Sequence, residues 1–240
     1  MMLASVRRLR SEQRAALVLS ALLLAYGNGV SGFSAGARDQ FLIWSNLGVL
    51  AVLLGWSLRV DRLSAQELGL GPAAALPSAL VGLALSLLVS VVPVAFIAIA
   101  PFVSGEPIEV EGVSDLSGPA LAYRLAFRAP VGTALFEEAA FRGVLYAYWA
   151  RAAGERGAFV WTTVCFTFWH GVITSRTVVE SGMADSIPML VLGALFSFAG
   201  LALGGLIFAY LRWHTRSVAA PTVVHWLVVA LMTLTVWARG

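Results

Sequence analysis

A series of apolar stretches, each about as long as a bilayer is thick, constrains the fold of this chain most strongly. A helix needs about 20 apolar residues to cross the ~30 Å hydrocarbon core of a membrane. Such stretches recur along a sequence in which 59% of the residues are hydrophobic and only 12% are charged. They are Ala15–Val30, Phe41–Leu58, Leu76–Phe102, Ala129–Ala150, Ala158–Ile173, Met189–Leu211 and Val218–Trp237. We therefore predict an all-α, polytopic membrane helix bundle with about seven transmembrane helices, within a range of roughly six to eight.

The distribution of arginine predicts the orientation of this bundle. All 16 basic residues are arginine, and most lie near the N-terminus or in the loops at 59–62, 151–156 and 212–216. The intervening loops are neutral or acidic and carry, among others, Glu106, Glu109, Glu111 and Asp185. Basic loops stay in the cytoplasm, so we expect a cytoplasmic N-terminus. An alanine-rich chain without lysine is typical of a high-GC bacterium, which predicts a multi-pass protein of the bacterial inner membrane.

The composition also limits the partners of the protein. No soluble segment of useful size interrupts the apolar stretches, so residues 1–240 are expected to form one integral membrane domain. The arginines occupy short loops, which argues against a nucleic-acid partner and leaves membrane lipids and a membrane-associated substrate. Cys165 is the only cysteine, which excludes an intramolecular disulfide and a multi-cysteine metal site. We interpret Cys165 as a small buried apolar residue.

Two local sequence patterns predict structural features rather than catalytic residues. Ser64-Ala65-Gln66-Glu67 is a capping-box sequence, which predicts a short interfacial helix that ends near Gly69 and Gly71. Small residues recur at helical spacing in the sixth predicted span, at Gly200, Gly204 and Gly205. This spacing predicts a close approach of two helices in lipid.

Three charged residues lie inside the fourth predicted span. Glu138 and Arg142 are four residues apart, so they share one helix face in the order that favours an ion pair. Glu137 is rotated by about 100° from Glu138 and has Phe141 one turn further on. Its partner must therefore come from another helix. Charged groups cost several kcal/mol at this depth, so we interpret the cluster as functional, or else as a set of buried polar pairs that hold helices together.

Two histidines favour the functional interpretation. His170 lies in the fifth predicted span and His225 in the seventh, each within apolar sequence. At ~1.5 Å per residue, Glu137, His170 and His225 lie about 18, 20 and 12 Å from the cytoplasmic ends of their helices. Similar depths predict that the three side chains meet. His214, the third histidine, lies in an arginine-rich loop and is expected to contact solvent or headgroups.

These residues resemble the signature of a known family. Glu-Glu-x-x-x-Arg at Glu137 to Arg142, Phe-x-x-x-His at Phe166 to His170, and a late membrane histidine at His225 match the pattern of the CAAX prenyl protease type 2 family. This family, also called CPBP, Rce1-like or abortive-infection, consists of glutamate-type intramembrane endopeptidases. The resemblance covers a motif-bearing core at residues 129–236 and extends to its bacterial myxosortase-like members.

The resemblance implies a role for each residue. Glu137 would be the catalytic base that activates water, His170 would orient that water, and His225 would help to stabilise the oxyanion. Glu138, Arg142 and Phe166 would support them. The family has Asn or Asp four residues after the last histidine, whereas this chain has Val229. Thr222 and Thr233 are the expected substitute donors.

Three alternatives remain open from the sequence. The resemblance predicts no cofactor, but Glu137, His170 and His225 could together bind zinc, although the chain has no His-Glu-x-x-His pattern. Buried Glu and His residues also build the proton relays of coupled transporters, which tend to show internal repeats that are not visible here. Val229 raises a third alternative, a catalytically impaired family member that acts as a membrane binding or scaffold protein.

Overall fold

A computed structural model of the protein describes residues 2–33, 35–104, 112–180 and 187–239. This part of the chain contains helices and turns but no strand, which confirms the predicted all-α class. Two segments, π1 and π2, have the wider hydrogen bonding of a π-helix. The elements are α1 (Met2–Ser31), α2 (Ala35–Arg59), α3 (Pro72–Ser104), α4 (Gly118–Tyr123), π1 (Arg124–Leu135), α5 (Phe136–Glu138), π2 (Ala139–Leu145), α6 (Tyr146–Trp169), α7 (Gly171–Glu180), α8 (Ile187–Thr215) and α9 (Ala219–Trp237).

Within the described residues, five helical segments are long and apolar enough to cross a membrane, and the protein is a multi-pass membrane protein. They match the first, second, third, sixth and seventh predicted spans. They are Ser11–Ser31, Phe41–Arg59, Pro72–Ile99, Leu190–Thr215 and Ala219–Trp237. The other two predicted spans are also helical, but neither is one uninterrupted apolar α-helix. The fourth is divided among π1, α5, π2 and the start of α6, and the fifth is broken at His170 between α6 and α7.

Residues 118–153 form one continuous helical run, which we call the carboxylate helix because it carries Glu137 and Glu138. Gly154 ends this run with φ 73° and ψ 176°, and the chain then continues as the second part of α6. The rings of Trp149 and Trp161 stack across the turn with centroids 5.0 Å apart. The turn at Gly154 therefore joins the fourth and fifth predicted spans as a helical hairpin.

The carboxylate helix lies at the centre of the bundle. Every residue from 136 to 147 is buried, whereas α3 exposes large apolar side chains such as Leu87 and Leu88. α2 packs on π1, α5 and π2, and α9 packs on π1 and α3. In a membrane protein the outer apolar surface faces lipid, so the buried residues Glu137, Glu138 and Arg142 are enclosed by apolar helices.

In each π segment, a backbone carbonyl accepts a hydrogen bond from a side chain of another helix. Asn46 Nδ2 donates to Gly132 O in π1 at 2.7 Å, and Arg212 Nε donates to Arg142 O in π2 at 2.9 Å. Pro130 lies inside π1 and has no N–H to contribute to regular α-helical bonding. Departures of this kind from the α-helix are frequent at functional sites.

The capping-box residues form a single turn rather than the predicted helix. Glu67 Oε2 accepts bonds from Ser64 N and Ser64 Oγ at 2.8 Å each, and Glu67 N donates to Ser64 Oγ at 3.2 Å. Leu70 N then donates to Ala65 O, and Gly69 has φ 68°, which ends the turn as a Schellman motif. The helix prediction is therefore wrong, because the stop signal follows the start signal after one turn.

The glycine prediction is correct at one position of three. A Cβ at Gly205 would lie 3.2 Å from Thr163 Cγ2, whereas a Cβ at Gly200 or Gly204 would meet nothing within 4 Å. Gly205 thus marks the close approach of α8 to α6. Cys165 is buried, as predicted.

The orientation predicted from the loops is not tested by the structure. Glu106, Glu109, Glu111 and Asp185, which contribute to that prediction, lie outside the described residues.

Candidate active site

The two adjacent carboxylates of the carboxylate helix have different surroundings. Glu138 is fully buried and accepts hydrogen bonds from two side chains, Arg142 on its own helix and His225 on α9. Glu137 is also buried, and its Oε2 atom, like Oε2 of Glu138, has no hydrogen-bond partner among the described residues. The two glutamates differ in their nearest groups: two donors fix Oε1 of Glu138, whereas Oε2 of Glu137 lies within 4.0 Å of two histidine rings without a direct hydrogen bond.

Arg142 anchors the fixed carboxylate. Its NH1 lies 3.2 Å from Glu138 Oε1, and its NH2 donates to Gly205 O at 3.1 Å. Its guanidinium carbon lies 4.1 Å from the centre of the Phe166 ring and 5.2 Å from that of Phe208, which is cation–π geometry. The predicted supporting residues Glu138, Arg142 and Phe166 thus lie together. The small size of Gly205 lets its carbonyl reach the guanidinium.

His225 bridges the two carboxylates. Its Nδ1 lies 2.9 Å from Glu138 Oε1, and its Nε2 lies 4.0 Å from Glu137 Oε2. An ionised carboxylate only accepts hydrogen bonds, so we assign the proton of the neutral ring to Nδ1. The ring stacks on Phe208 with centroids 4.9 Å apart. Glu138 and Phe208 therefore hold Nε2 of His225 towards Glu137.

His170 is the second histidine next to Glu137 and does not belong to α9. It occupies the turn between α6 and α7, and its Nε2 lies 3.6 Å from Glu137 Oε2. Its Nδ1 lies 2.9 Å from Phe166 O, and since a carbonyl only accepts, Nδ1 carries the proton of the neutral ring. Nε2 of His170 then carries a lone pair and no proton, and it lies next to Oε2 of Glu137.

Asn28 fixes the break in the helix that places His170, and the sequence analysis missed it. Its Nδ2 donates to Phe168 O at 3.0 Å, and its Oδ1 accepts from Val172 N at 2.8 Å. These two bonds satisfy backbone groups on both sides of the turn. An asparagine near the end of an apolar span is a signal that the sequence offers, because polar groups in the membrane need partners.

The converging atoms are close to one another without direct hydrogen bonds. Separations of 3.6 and 4.0 Å between each histidine Nε2 and Glu137 Oε2 exceed a direct hydrogen bond. A small outward shift of these side chains would let one water molecule bond to all three atoms. With both glutamates ionised, the cluster has two negative charges and one guanidinium. One additional proton makes it neutral, and Glu137, His170 and His225 can each carry that proton.

A cavity of about 220 Å³ opens beside Glu137 and His170. Its walls come from the end of α1, the first half of α2, π1 and the α6–α7 turn. The lining includes Tyr26, Gly27, Val30, Ser31, Leu42, Asn46, Thr133, Glu137, Trp169, His170 and Ile173. Glu137 thus borders a space that a ligand can occupy, and its Oε2 atom lies buried behind the cavity surface.

The predicted substitute donors are not brought to this space. Thr222 donates its hydroxyl proton to Val218 O at 2.8 Å, one turn earlier on α9. Thr233 is eight residues beyond His225, which is ~12 Å along the helix. Neither threonine lines the cavity. Val229 has no side-chain donor, so no side chain at position 229 takes the carbonyl-binding role of the family residue.

The zinc alternative stays a prediction. Ligands of a tetrahedral zinc ion at ~2.0–2.1 Å lie about 3.3 Å apart, somewhat less than the separations between Glu137 and the two histidines. Among the described residues, no group of three or more His, Cys, Asp or Glu side chains is arranged to hold a metal ion.

Comparison with known proteins identifies the family. No curated protein and no solved structure matches the chain. Residues 119–231 match the family model described as Rce1-like, type II CAAX prenyl endopeptidase Rce1-like. The matched segment contains both glutamates, Arg142 and both clustered histidines. Residues 119–231 therefore form a domain of the Rce1-like family of type II CAAX prenyl endopeptidases, a family of proteases.

Proposed function

We propose that this protein is an intramembrane endopeptidase that hydrolyses a peptide bond of a membrane-associated protein with a water molecule activated by Glu137. One observation carries the proposal. A buried glutamate, Glu137, lines a cavity together with His170, and its Oε2 atom lies 3.6 Å from Nε2 of His170 and 4.0 Å from Nε2 of His225. A carboxylate with a free acceptor atom and adjacent imidazoles is the arrangement that general-base catalysis needs.

The reaction follows from the positions of these groups. Glu137 accepts a proton from the water as the water oxygen attacks the carbonyl carbon of the scissile bond. Nε2 of His170 accepts the second water hydrogen and so orients the water. The C–N bond of the tetrahedral intermediate then breaks, and the proton held by Glu137 passes to the leaving nitrogen. The products are one new carboxyl terminus and one new amino terminus, with no net change in the protonation of the enzyme.

His225 and its supports stabilise the intermediate. When His225 carries the extra proton of the cluster, its Nε2–H can donate to the oxyanion while Nδ1–H stays bonded to Glu138. Glu138 is in turn held by Arg142, which is packed over Phe166. A preorganised donor of this kind contributes about 10²–10³-fold in other proteases. Glu138, Arg142 and Phe166 are therefore positioning residues that act through His225.

The substrate is proposed from the bacterial character of the sequence. Bacterial relatives of this kind process peptide precursors or remove C-terminal sorting signals, in the manner of myxosortase-type proteases. Protein prenylation is not expected in a high-GC bacterium, so we propose an unprenylated substrate in the inner membrane. The N-terminus is proposed to be cytoplasmic. The mechanism needs no cofactor, and full cleavage after dialysis against a zinc chelator would support that part of the proposal.

The test compares membranes that contain the wild-type protein with membranes that contain Glu137→Gln. New amino termini are labelled and identified by mass spectrometry. We expect termini that appear with the wild type and are absent with Glu137→Gln, because glutamine cannot accept the proton and a general base contributes about 10²–10⁴-fold. Thr233→Val, which changes a polar residue of α9 outside the cavity, is the matched control. Equal yields of the same termini with Glu137→Gln would refute the proposal.

A further inference from the structure

The cavity beside Glu137 has a polar wall that the proposed mechanism does not use. Asn46 lies on α2 and is 4% exposed. Its Nδ2 donates to Gly132 O at 2.7 Å, and its Oδ1 accepts from the Tyr26 hydroxyl at 2.7 Å. Gly132 precedes Glu137 by five residues, which is ~7.5 Å along the carboxylate helix. Asn46 and Glu137 line the same cavity of about 220 Å³.

These two hydrogen bonds fix the orientation of the Asn46 amide. A backbone carbonyl only accepts, so the atom that faces Gly132 O must be the nitrogen. The side-chain nitrogen carries two hydrogens, and Gly132 O takes one. In the described part of the chain, no acceptor takes the other. A buried N–H without an acceptor is costly unless a ligand or water provides one.

Position 229 lacks the second carbonyl donor that the family pattern has one turn after His225. Val229 cannot donate to the carbonyl oxygen of a substrate, and Thr222 uses its hydroxyl within α9. Both α2 and α9 pack on π1, the segment that precedes Glu137, and Asn46 on α2 binds Gly132 within it. Asn46 therefore has the chemistry of the missing donor, although it belongs to a different helix.

The location of the cavity also gives a direction of access. Tyr26, Val30 and Ser31 belong to the last turns of α1, and Leu42 and Asn46 to the first half of α2. The opposite end of the bundle holds polar contacts among the arginine-rich loops and a second cavity of about 220 Å³, which neither Glu137 nor His170 lines. Arg151 is paired with Glu67 at 2.7 Å, and Tyr148 donates to Asp61. Glu137 is thus reached from the end of the bundle where α1 ends.

We infer that the scissile segment of the substrate enters as an extended peptide between α1 and α2, from the end of the bundle opposite the N-terminus, and that Asn46 donates to its scissile carbonyl oxygen. The inference rests on the proposed peptidase function. A cavity of about 220 Å³ is smaller than the roughly 300–1,000 Å³ that encloses a drug-sized ligand. It therefore holds only the few residues around the scissile bond. Asn46 takes the role that the Asn or Asp at position 229 has in the family pattern.

The first test removes the free N–H of Asn46. Asn46→Asp keeps an acceptor for Tyr26 but has no N–H, and Asn46→Leu has neither. Cleavage of a quenched fluorescent peptide library is measured in proteoliposomes. We expect both variants to lower kcat about 10²-fold with KM little changed, as for other oxyanion donors. Ser45 is the other hydrogen-bond partner of the Tyr26 hydroxyl and does not line the cavity, so Ser45→Ala is the control and is expected to retain wild-type kcat.

A rescue distinguishes a catalytic role from a structural one. Val229→Asn alone is expected to change kcat by less than about threefold, because Asn46 already supplies the donor. The double variant Asn46→Leu with Val229→Asn is expected to have a kcat at least about tenfold higher than Asn46→Leu alone. This is part of the ~10²-fold that one donor contributes. Wild-type kcat in Asn46→Asp and Asn46→Leu, or no rescue by Val229→Asn, would overturn the assignment. If Glu137→Gln is inactive in the same assay, the proposed function survives that failure.

The second test measures the side of access. Two single-cysteine variants, Ser31→Cys and Ser11→Cys, are made in a Cys165→Ala background. Residue 31 lines the cavity beside Glu137, and residue 11 lines a separate cavity beside Asp61 and Arg151. A membrane-impermeant maleimide is expected to label the two positions from opposite sides of the membrane. Modification at residue 31 should lower library cleavage at least about tenfold, whereas modification at residue 11 should leave it unchanged. Labelling of both from one side, or inhibition only at residue 11, would refute the direction of access.

Discussion

Replacement of Glu138 and replacement of Glu137 by glutamine are expected to affect stability differently, although the residues are adjacent. Glu138 Oε1 accepts from His225 at 2.9 Å and from Arg142 at 3.2 Å, whereas Glu137 Oε2 has no hydrogen-bond partner. Both donors bind the same oxygen of Glu138, so glutamine keeps that acceptor but removes the negative charge that strengthens the two bonds. The Glu138 variant therefore weakens existing hydrogen bonds, whereas Oε2 of Glu137 accepts none from the described residues that a variant could weaken.

The size of the expected change in unfolding temperature depends on which hydrogen bonds join different helices. Glu138 and Arg142 belong to one helix, so their contact persists when the helices separate in lipid. The bond from His225 to Glu138 joins two helices. A hydrogen bond to a charged group contributes about 1.5–3 kcal/mol and a neutral one about 0.5–1.5 kcal/mol, so loss of the charge should cost about 1–1.5 kcal/mol. At roughly 2–4 °C per kcal/mol for a chain of this size, Glu138→Gln should lower the unfolding temperature by about 2–6 °C. Glu137→Gln should shift it by less than about 2 °C.

The single cysteine provides the assay. Cys165 is 5% exposed, so a thiol-reactive dye that fluoresces on reaction reports the temperature at which the helices separate in detergent. Wild type, Glu137→Gln and Glu138→Gln are heated in parallel at one dye concentration. Equal shifts for the two variants, or a larger loss for Glu137→Gln, would refute the assignment of Glu138 as the structural carboxylate.

Further predictions concern the turn at residues 64–70. Gly69→Ala should destabilise the protein by about 1–2 kcal/mol, because the position has φ 68° and a Cβ would lie 2.6 Å from Arg212 Nε. Gly200→Ala, where a Cβ meets nothing within 4 Å, is the matched control and should leave the unfolding temperature unchanged or raise it slightly. Partial burial opposes ionisation of Glu67, but hydrogen bonds from the Ser64 backbone and from Arg151 outweigh it and hold the pKa of Glu67 below its usual range. The folded state thus favours the ionised form, so the difference in unfolding temperature between wild type and Glu67→Gln should be constant near pH 7 and shrink as the pH falls below about 4.3. A pH-independent difference would contradict the role of the ionised carboxylate.

The helical class and the candidate site residues could be predicted because each has a strong local signal. Apolar length predicts spans, and the spacing of Glu138 and Arg142 on one helix face predicts their pair, which the structure contains. The proximity of Glu137 to both histidines was predicted from depth alone, and they lie 3.6 and 4.0 Å from its Oε2. What depth could not predict is that His225 binds Glu138 more closely than Glu137, because this depends on the rotation of α9.

Features that depend on tertiary packing could not be predicted. The π segments of the carboxylate helix have no marker in the sequence except Pro130, and the capping box gave a turn where a helix was expected. Thr222 lies one turn from His225, but its hydroxyl binds its own helix, so position on a helix face did not predict function. Asn46 was overlooked because it belongs to a span without the family motifs, although a buried amide in an apolar span is itself a signal.

The central claim is that Glu137 activates water, and the cleavage rate of purified Glu137→Gln in proteoliposomes tests it most directly. Glu137→Gln and Glu138→Gln are each compared with the wild type on the same peptide library, after the folded fraction is measured through Cys165. We predict that Glu137→Gln stays folded and loses at least about 10²-fold in kcat. A folded Glu137→Gln protein that cleaves the library at the wild-type rate would contradict the claim.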